Sequence, residues 1–103
     1  MAAPTAEALM RSRYTAYVVE DANYLKETWH PEYRPDTVEA GRGQKWLGLK
    51  IRRTEAGGVT DDTGLVEFVA RFKIDGKGYR LHESSQFVKA NGRWYYTTGE
   101  LRN

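Results

Sequence analysis

At 103 residues, 40% apolar and 29% charged, with a net charge of +2, the chain has the size and balance of a single globular domain spanning residues 1–103. No cysteine is present, which excludes disulfides and thiolate zinc sites, and two histidines leave little for any other metal cage, so neither metal nor cofactor is expected. No apolar run approaches the roughly 18 residues of a membrane span, and acids and bases are interspersed, which argues against membrane and nucleic-acid partners despite a pI of 8.9.

The N-terminus lacks an apolar stretch behind a basic start, so no signal peptide and a cytoplasmic location are expected. Thr5 is a good N-cap, with Pro4 before it and Glu7 in the first turn, where the helix dipole favours an acid. Ala6, Leu9, Met10, Arg13, Tyr14 and Tyr17 recur at spacings of three and four, which predicts one buried stripe of a helix running to about Val19. Arg13 lies inside that stripe and Arg11 outside it. Asp21 caps a second, shorter helix through Tyr24, Leu25 and Thr28, ended by His30 because a residue before proline avoids the helical region. Pro35 to Ala40 suits one further helical turn, and Gly41-Arg42-Gly43 marks a break.

From Trp46 the period changes to two. Candidate strands are Trp46 to Thr54, Gly64 to Ile74, Tyr79 to Lys89 and Arg93 to Thr98, each rich in β-branched or aromatic residues. Asn91-Gly92 is the strongest turn signal, because a two-residue type I′ turn needs positive φ at both positions. It sets Ala90 opposite Arg93, Val88 opposite Tyr95 and Phe87 opposite Tyr96. The turn at Asp75-Gly76-Lys77-Gly78 has two or four loop residues, and either choice preserves the face assignment.

Val66, Phe68, Ala70, Phe72, Ile74, Tyr79, Leu81, Glu83, Ser85, Phe87, Trp94, Tyr96 and Thr98 then share the core face. Leu65, Glu67, Val69, Arg71, Lys73, Arg80, His82, Ser84, Gln86, Val88, Tyr95 and Thr97 share a mostly polar outer face, as in an antiparallel sheet wetted on one side. Two to three N-terminal helices must cover the apolar face, an α+β arrangement on a four-stranded antiparallel sheet.

Leu9-Met10-Arg11-Ser12-Arg13-Tyr14, Tyr24-Leu25, Thr28-Trp29-His30-Pro31, Trp46-Leu47-Gly48-Leu49, Val66-Glu67-Phe68-Val69-Ala70-Arg71-Phe72 and Gly92-Arg93-Trp94-Tyr95-Tyr96 follow one another in an order that resembles the bacterial YchJ-like middle domain. The resemblance covers nearly the whole chain. It implies the nuclear-transport-factor-2-like (cystatin-like) fold, a cone of helices on a strongly bent sheet, and it implies no particular activity, since that fold hosts enzymes, carriers and scaffolds. Members of the family commonly carry a Cys-rich SEC-C zinc motif that is absent here. Two arginines of the family's third strand are replaced by Ser84 and Gln86, while the acid, Glu83, is kept.

Glu83 sits among Phe68, Leu81 and Phe87 on the face to be covered, where an unpartnered carboxylate is costly. Arg13 is the matching polar group on the covering helix. The two are therefore expected to meet as an ion pair inside the cone, with Ser85 and the hydroxyls of Tyr14, Tyr17 or Tyr96 as further partners. Continued pairing of the last hairpin would set Glu100 opposite Glu83, so either the strand ends at Gly99 or an arginine separates the acids.

Two functions from different classes fit these residues. The favoured one is a non-catalytic accessory or binding module for a small molecule or protein, with a polar floor in a pocket lined by Tyr17, Trp29, Trp46, Phe68, Phe72 and Tyr96. The alternative is a small isomerase, dehydratase or hydrolase with Glu83 as general acid or base and tyrosine hydroxyls on a developing oxyanion. A filled cone with Arg13 locked on Glu83 would speak against chemistry, whereas an open cavity with Glu83 unpaired would favour it. No nucleophile beside a base is visible, and His30 and His82 fall at a helix end and on the outer face. Lys50, Arg52 and Arg53 read as a solvated strand, and Leu65, Val69, Val88 and Tyr95 as an apolar patch that would suit a homodimer.

Overall fold

The structure of the chain, a computed structural model, describes residues 2–41 and 43–102; Arg42, inside the expected break, lies outside them. The elements are α1 (Ala6–Val18), α2 (Ala22–Glu27), β1 (Lys45–Ala56), β2 (Thr63–Ile74), β3 (Lys77–Ala90) and β4 (Arg93–Leu101). Thr5 caps α1 by accepting from Ala8 N at 3.1 Å. The helix closes with Glu20 in the left-handed region at φ 59°, with Glu20 N donating to Tyr17 O and Asp21 N to Ala16 O, a Schellman ending normally built on glycine. Asp21 then caps α2 through Tyr24 N.

The expected turn of helix at Pro35–Ala40 does not form. Val38 and Ala40 pack on Ala16, Leu25, Tyr17 and Tyr24 while Thr37 and Glu39 are exposed, an every-second-residue burial that belongs to extended chain. The described residues therefore form two helices.

The strands form an antiparallel meander in the order β1-β2-β3-β4. Asp75-Gly76 and Asn91-Gly92 both have positive φ at the two loop positions, so both hairpins close through two residues, with Ile74 opposite Lys77 and Ala90 opposite Arg93. Ala6, Leu9 and Met10 of α1 pack on Val66, Phe68, Ala70, Phe87 and Trp94 to make the core. The 13 residues of α1 span about 20 Å. The 12-residue strand β2 spans about 40 Å. Helix therefore covers only part of the sheet, and Tyr79, expected on the core face, is 42% exposed at the far end of its hairpin.

The last hairpin is bulged. Phe87 faces Tyr96, but Ser85 faces Gly99 and Glu83 faces Leu101, so β4 carries one extra residue between these pairs. This corrects the expected register: Glu100 lies opposite Ser84, the two acids never oppose each other, and β4 runs past Gly99. Thr97, expected on the wetted face, is buried and donates to Gln86 O at 3.0 Å, while Thr98, expected in the core, is exposed. Val69 and Ser84 are also buried, so the outer face presents less apolar surface than the alternation suggests.

Candidate functional site

The site begins with where α2 ends. After Glu27 the chain runs beside β4, with Tyr96 N donating to Thr28 O and His30 N to Tyr96 O, both at 2.8 Å. Trp29 Nε1 donates to Thr97 O at 3.1 Å, which fixes its indole edge-on to Tyr96 with ring centroids 5.0 Å apart. The Arg13 guanidinium enters this cage, its Cζ 4.6 Å from the Tyr96 ring centroid and 5.5 Å from that of Trp29. It is 3% exposed, and Nη1 donates to Leu25 O at 2.9 Å and to Thr28 Oγ1 at 2.6 Å.

Those acceptors explain a second correction. Among the described residues, no ion pair within 4 Å joins Arg13 to Glu83. The last carbonyls of a helix have no intrahelical donors and carry the negative end of its dipole. The end of α2 lies within reach of Arg13 and takes the guanidinium as its C-terminal cation. Burial pulls the Arg13 pKa below the usual arginine value, opposed by the weaker fields of the neighbouring tyrosines and Glu83.

Glu83 pairs with Phe68 across the sheet, as its alternation implies, and is half-buried. Its one hydrogen bond among the described residues comes from Ser85 Oγ, which donates to Oε2 at 2.7 Å. The carboxylate occupies space that Gly99 leaves open: a Cβ on Gly99 would stand 2.6 Å from Glu83 Cδ and 2.9 Å from Tyr96 Oη. Burial, followed by the nearby Glu83 charge, pushes the Tyr96 phenol up to about 12, so it is a neutral hydroxyl at ordinary pH.

Between α1 and the sheet lies a cavity of about 250 Å3 bounded by these groups. Arg13, Tyr14, Tyr17, Trp29, Trp46, Phe68, Glu83, Ser85 and Tyr96 all line it. Phe72, expected among them, does not. It packs behind Trp46 at 5.1 Å and stacks on Tyr79 at 5.4 Å, while Trp46 itself turns toward Tyr14 and Tyr17 and fills the wall. Met10, Gln44, Ala70 and Leu81 complete the lining and were not singled out from the sequence. Met10, Ala70 and Leu81 carried the signal, being on the predicted inner stripes, whereas Gln44 lies in the segment without period. Tyr17, Trp29 and Gln44 also border a vestibule of about 460 Å3 walled by Pro35 to Gly41.

Two other polar features lie apart from the cone. A larger groove, about 540 Å3, runs between the N-terminal segment, α2 and the start of β4, with Lys26, Arg34 and Arg93 among its walls. Lys26 and Arg93 are exposed, Glu27 shares the wall with them, and Arg34 already donates twice to Trp29 O, so the more buried groups of the cone make the better site. On the outer face Glu67 Oε2 lies 2.6 Å from His82 Nε2 and Oε1 3.2 Å from Arg53 Nε, with Glu55 also bonded to Arg53. Among the described residues no group of three or more His, Asp or Glu side chains converges in a way that would hold a metal ion, and no helix is long and apolar enough to cross a membrane.

The pattern that defines the YchJ middle NTF2-like domain matches residues 5–99. The chain belongs to this family. A UPF0225 protein of Chromobacterium violaceum is 51% identical over 100 residues, covering 94% of this chain and 74% of that protein. One from Bordetella pertussis is 50% identical over 102 residues, with 97% and 74% covered. In three dimensions this YchJ middle domain resembles a SEC-C motif containing protein from Rhodopseudomonas palustris, whose solution structure aligns with TM-score 0.83 at 37% identity over 100% of this chain and 83% of that one. A crystal structure of a SEC-C motif containing protein from Psychrobacter arcticus aligns with TM-score 0.73 at 27% identity, over 100% and 64%. The expected α+β arrangement, helices with a four-stranded antiparallel sheet, is thus the observed fold and is consistent with an NTF2-like domain, with two helices among the described residues.

Proposed function

We propose that this domain is a binding module whose ligand is a small molecule seated in the cone between α1 and the sheet. The observation that carries this reading is the state of Arg13. Of its five N–H bonds, the two on Nη1 are used, and Nε and Nη2 have no acceptor among the described residues. Among the described residues no fully buried polar side-chain atom lacks a partner, so these nitrogens keep their residual exposure at the cavity wall that Arg13 helps to form. A charged donor held in an aromatic cage beside an apolar cavity is the kind of convergent polar group that orients a ligand. The test is a thermal-shift screen against metabolites, since a ligand at 100 times its Kd raises stability by about 2.7 kcal/mol. Ala70→Leu, which projects into the void, should abolish the shift while leaving the unliganded melt within about 3 kcal/mol. A shift that survives Ala70→Leu would place the ligand elsewhere.

A second reading, a proton-transfer enzyme, is favoured by one specific observation: Glu83 has no cation within 4 Å among the described residues, and its carboxyl group and the neutral Tyr96 hydroxyl both border the space Gly99 leaves open. Glu83 would take a proton alpha to a carbonyl, the C–H electrons moving to the carbonyl oxygen, where Tyr96 would donate. Its test is deuterium exchange into carbonyl compounds in D2O, followed by NMR. Exchange absent from the wild type, or unchanged in Glu83→Gln, would rule it out.

A further inference from the structure

Among the described residues the cone wall carries one cation, Arg13, and one anion, Glu83, with no ion pair within 4 Å between them. Arg13 spends Nη1 on the end of α2, and among the described residues Glu83 accepts only from Ser85. Among the described residues no other Lys, Arg, Asp, Glu or His lines the cavity; the remaining polar walls are tyrosine hydroxyls, Gln44, Ser85 and the Trp29 and Trp46 indoles. The rest of the lining, including Met10, Phe68 and Leu81, is apolar.

This arrangement selects by elimination. An apolar ligand would expel water from both charges and satisfy neither. A lone anion would meet Arg13 but bring a second negative charge toward Glu83, and a lone cation would do the reverse at Arg13. Repulsion between like charges is strong where water is excluded. Only a ligand with no net charge, carrying an acceptor at one end and a donor at the other, satisfies both poles at once.

Resting on the reading of the cone as a ligand site, we infer that its ligand is a small zwitterion: a carboxylate meeting the free edge of Arg13 and an ammonium meeting Glu83, on an apolar body packed among Phe68, Leu81 and Trp46. Free hydrophobic amino acids have this chemistry. A cavity of about 250 Å3 holds about eight water volumes, which suits a single amino acid and leaves little room for a peptide chain.

The experiment uses the whole chain and three probes of matched shape: phenylalanine, hydrocinnamate, which lacks the ammonium, and phenethylamine, which lacks the carboxylate. Binding is read by calorimetry and by the fluorescence of Trp29 and Trp46, both in the cavity wall. Phenylalanine should bind at least about tenfold more tightly than either single-charge probe. The near-isosteric Glu83→Gln should reduce that preference over hydrocinnamate to about one by removing the repelling charge. Hydrocinnamate binding as tightly as phenylalanine would overturn the zwitterion while leaving the cone as a ligand site. A preference unchanged in Glu83→Gln would overturn the role of Glu83, and no binding by phenylalanine would overturn the inference outright. The metabolite screen with Ala70→Leu tests the cone independently of ligand charge.

Discussion

Arg13→Ala is the perturbation that reaches furthest into this structure, because one side chain ties α1 to the end of α2 and to the ring of Tyr96. Truncation removes two hydrogen bonds from a charged donor, each contributing about 1.5–3 kcal/mol. It also removes the cation's contact with two aromatic faces, about 0.5–2 kcal/mol. Against this stands relief from holding a guanidinium at 3% exposure, a desolvation penalty of several kcal/mol. The net loss is about 3 kcal/mol, set by a Leu25 carbonyl left with only the long contact from Thr28 Oγ1 at 3.4 Å and by the void beside Trp29. In a domain of this size that lowers Tm by about 15 °C. Urea unfolding followed by tryptophan fluorescence measures it, with Arg11→Ala as the control on the same helix. Arg11 is exposed and bonds only Glu7 one turn earlier at 3.0 Å, so its removal should cost about 0.5 kcal/mol or less. Arg13→Lys should fall between, since an ammonium cannot present a fork to two acceptors while lying flat on Tyr96. If Arg13→Ala lies within about 1 kcal/mol of the wild type, the guanidinium does not clamp the helices and the described cage is wrong.

Hydrogen bonds from His82 and then Arg53 hold Glu67 below the ordinary carboxylate value of 4.5, so its contribution to stability is present above pH 4.5 and is lost as the pH falls through the lower folded value. Glu67→Gln should therefore flatten the acid limb of a Tm-against-pH curve, and an unchanged limb would contradict the outer-face network. Tyr96 has the opposite sign: with its phenol raised from 10.0 to about 12, the stability it contributes is complete below pH 10 and disappears as the pH rises toward 12. Tyr96→Phe should remove that alkaline loss and, in an ultraviolet difference titration, the last tyrosine to ionise; if the late component remains, it belongs to another residue. Gly99→Ala should displace the Glu83 carboxyl from Ser85 and cost about 1–3 kcal/mol, because the flexible Glu83 end can move aside while the packed Tyr96 ring, its Oη 2.9 Å from the new Cβ, gives way less easily. An unmoved Glu83 carboxyl resonance in NMR would refute the close approach.

Local rules carried the fold because each element here is decided locally. Thr5 and Asp21 cap their helices, Asn91-Gly92 admits one turn type, and the alternation of Val66, Phe68 and Ala70 leaves one face for α1. The Arg13–Glu83 pair failed at the point where local rules end. Placing both residues on facing surfaces is a matter of period, but the partner Arg13 takes depends on which acceptors lie within reach, and the Leu25 carbonyl and the Thr28 hydroxyl at the end of α2 compete from 12 and 15 positions away. Periodicity carries no record of such competition.

The bulge in β4 is a different case, because its trace was present in the sequence. An isolated glycine within a strand marks a bulge or a close backbone approach. Gly99 follows Thr97-Thr98 in just that setting, and the structure uses it for both purposes. The extra residue shifts the register so that Gly99 comes opposite Ser85 on the inner face, and the missing Cβ leaves room for the Glu83 carboxylate. Without the shift Glu100 would oppose Glu83, and two carboxylates would face each other across the strand pair. The bulge therefore does what was expected of a strand end at Gly99 or of an intervening arginine: it separates the acids, and Glu83 faces the cavity with no arginine needed between them.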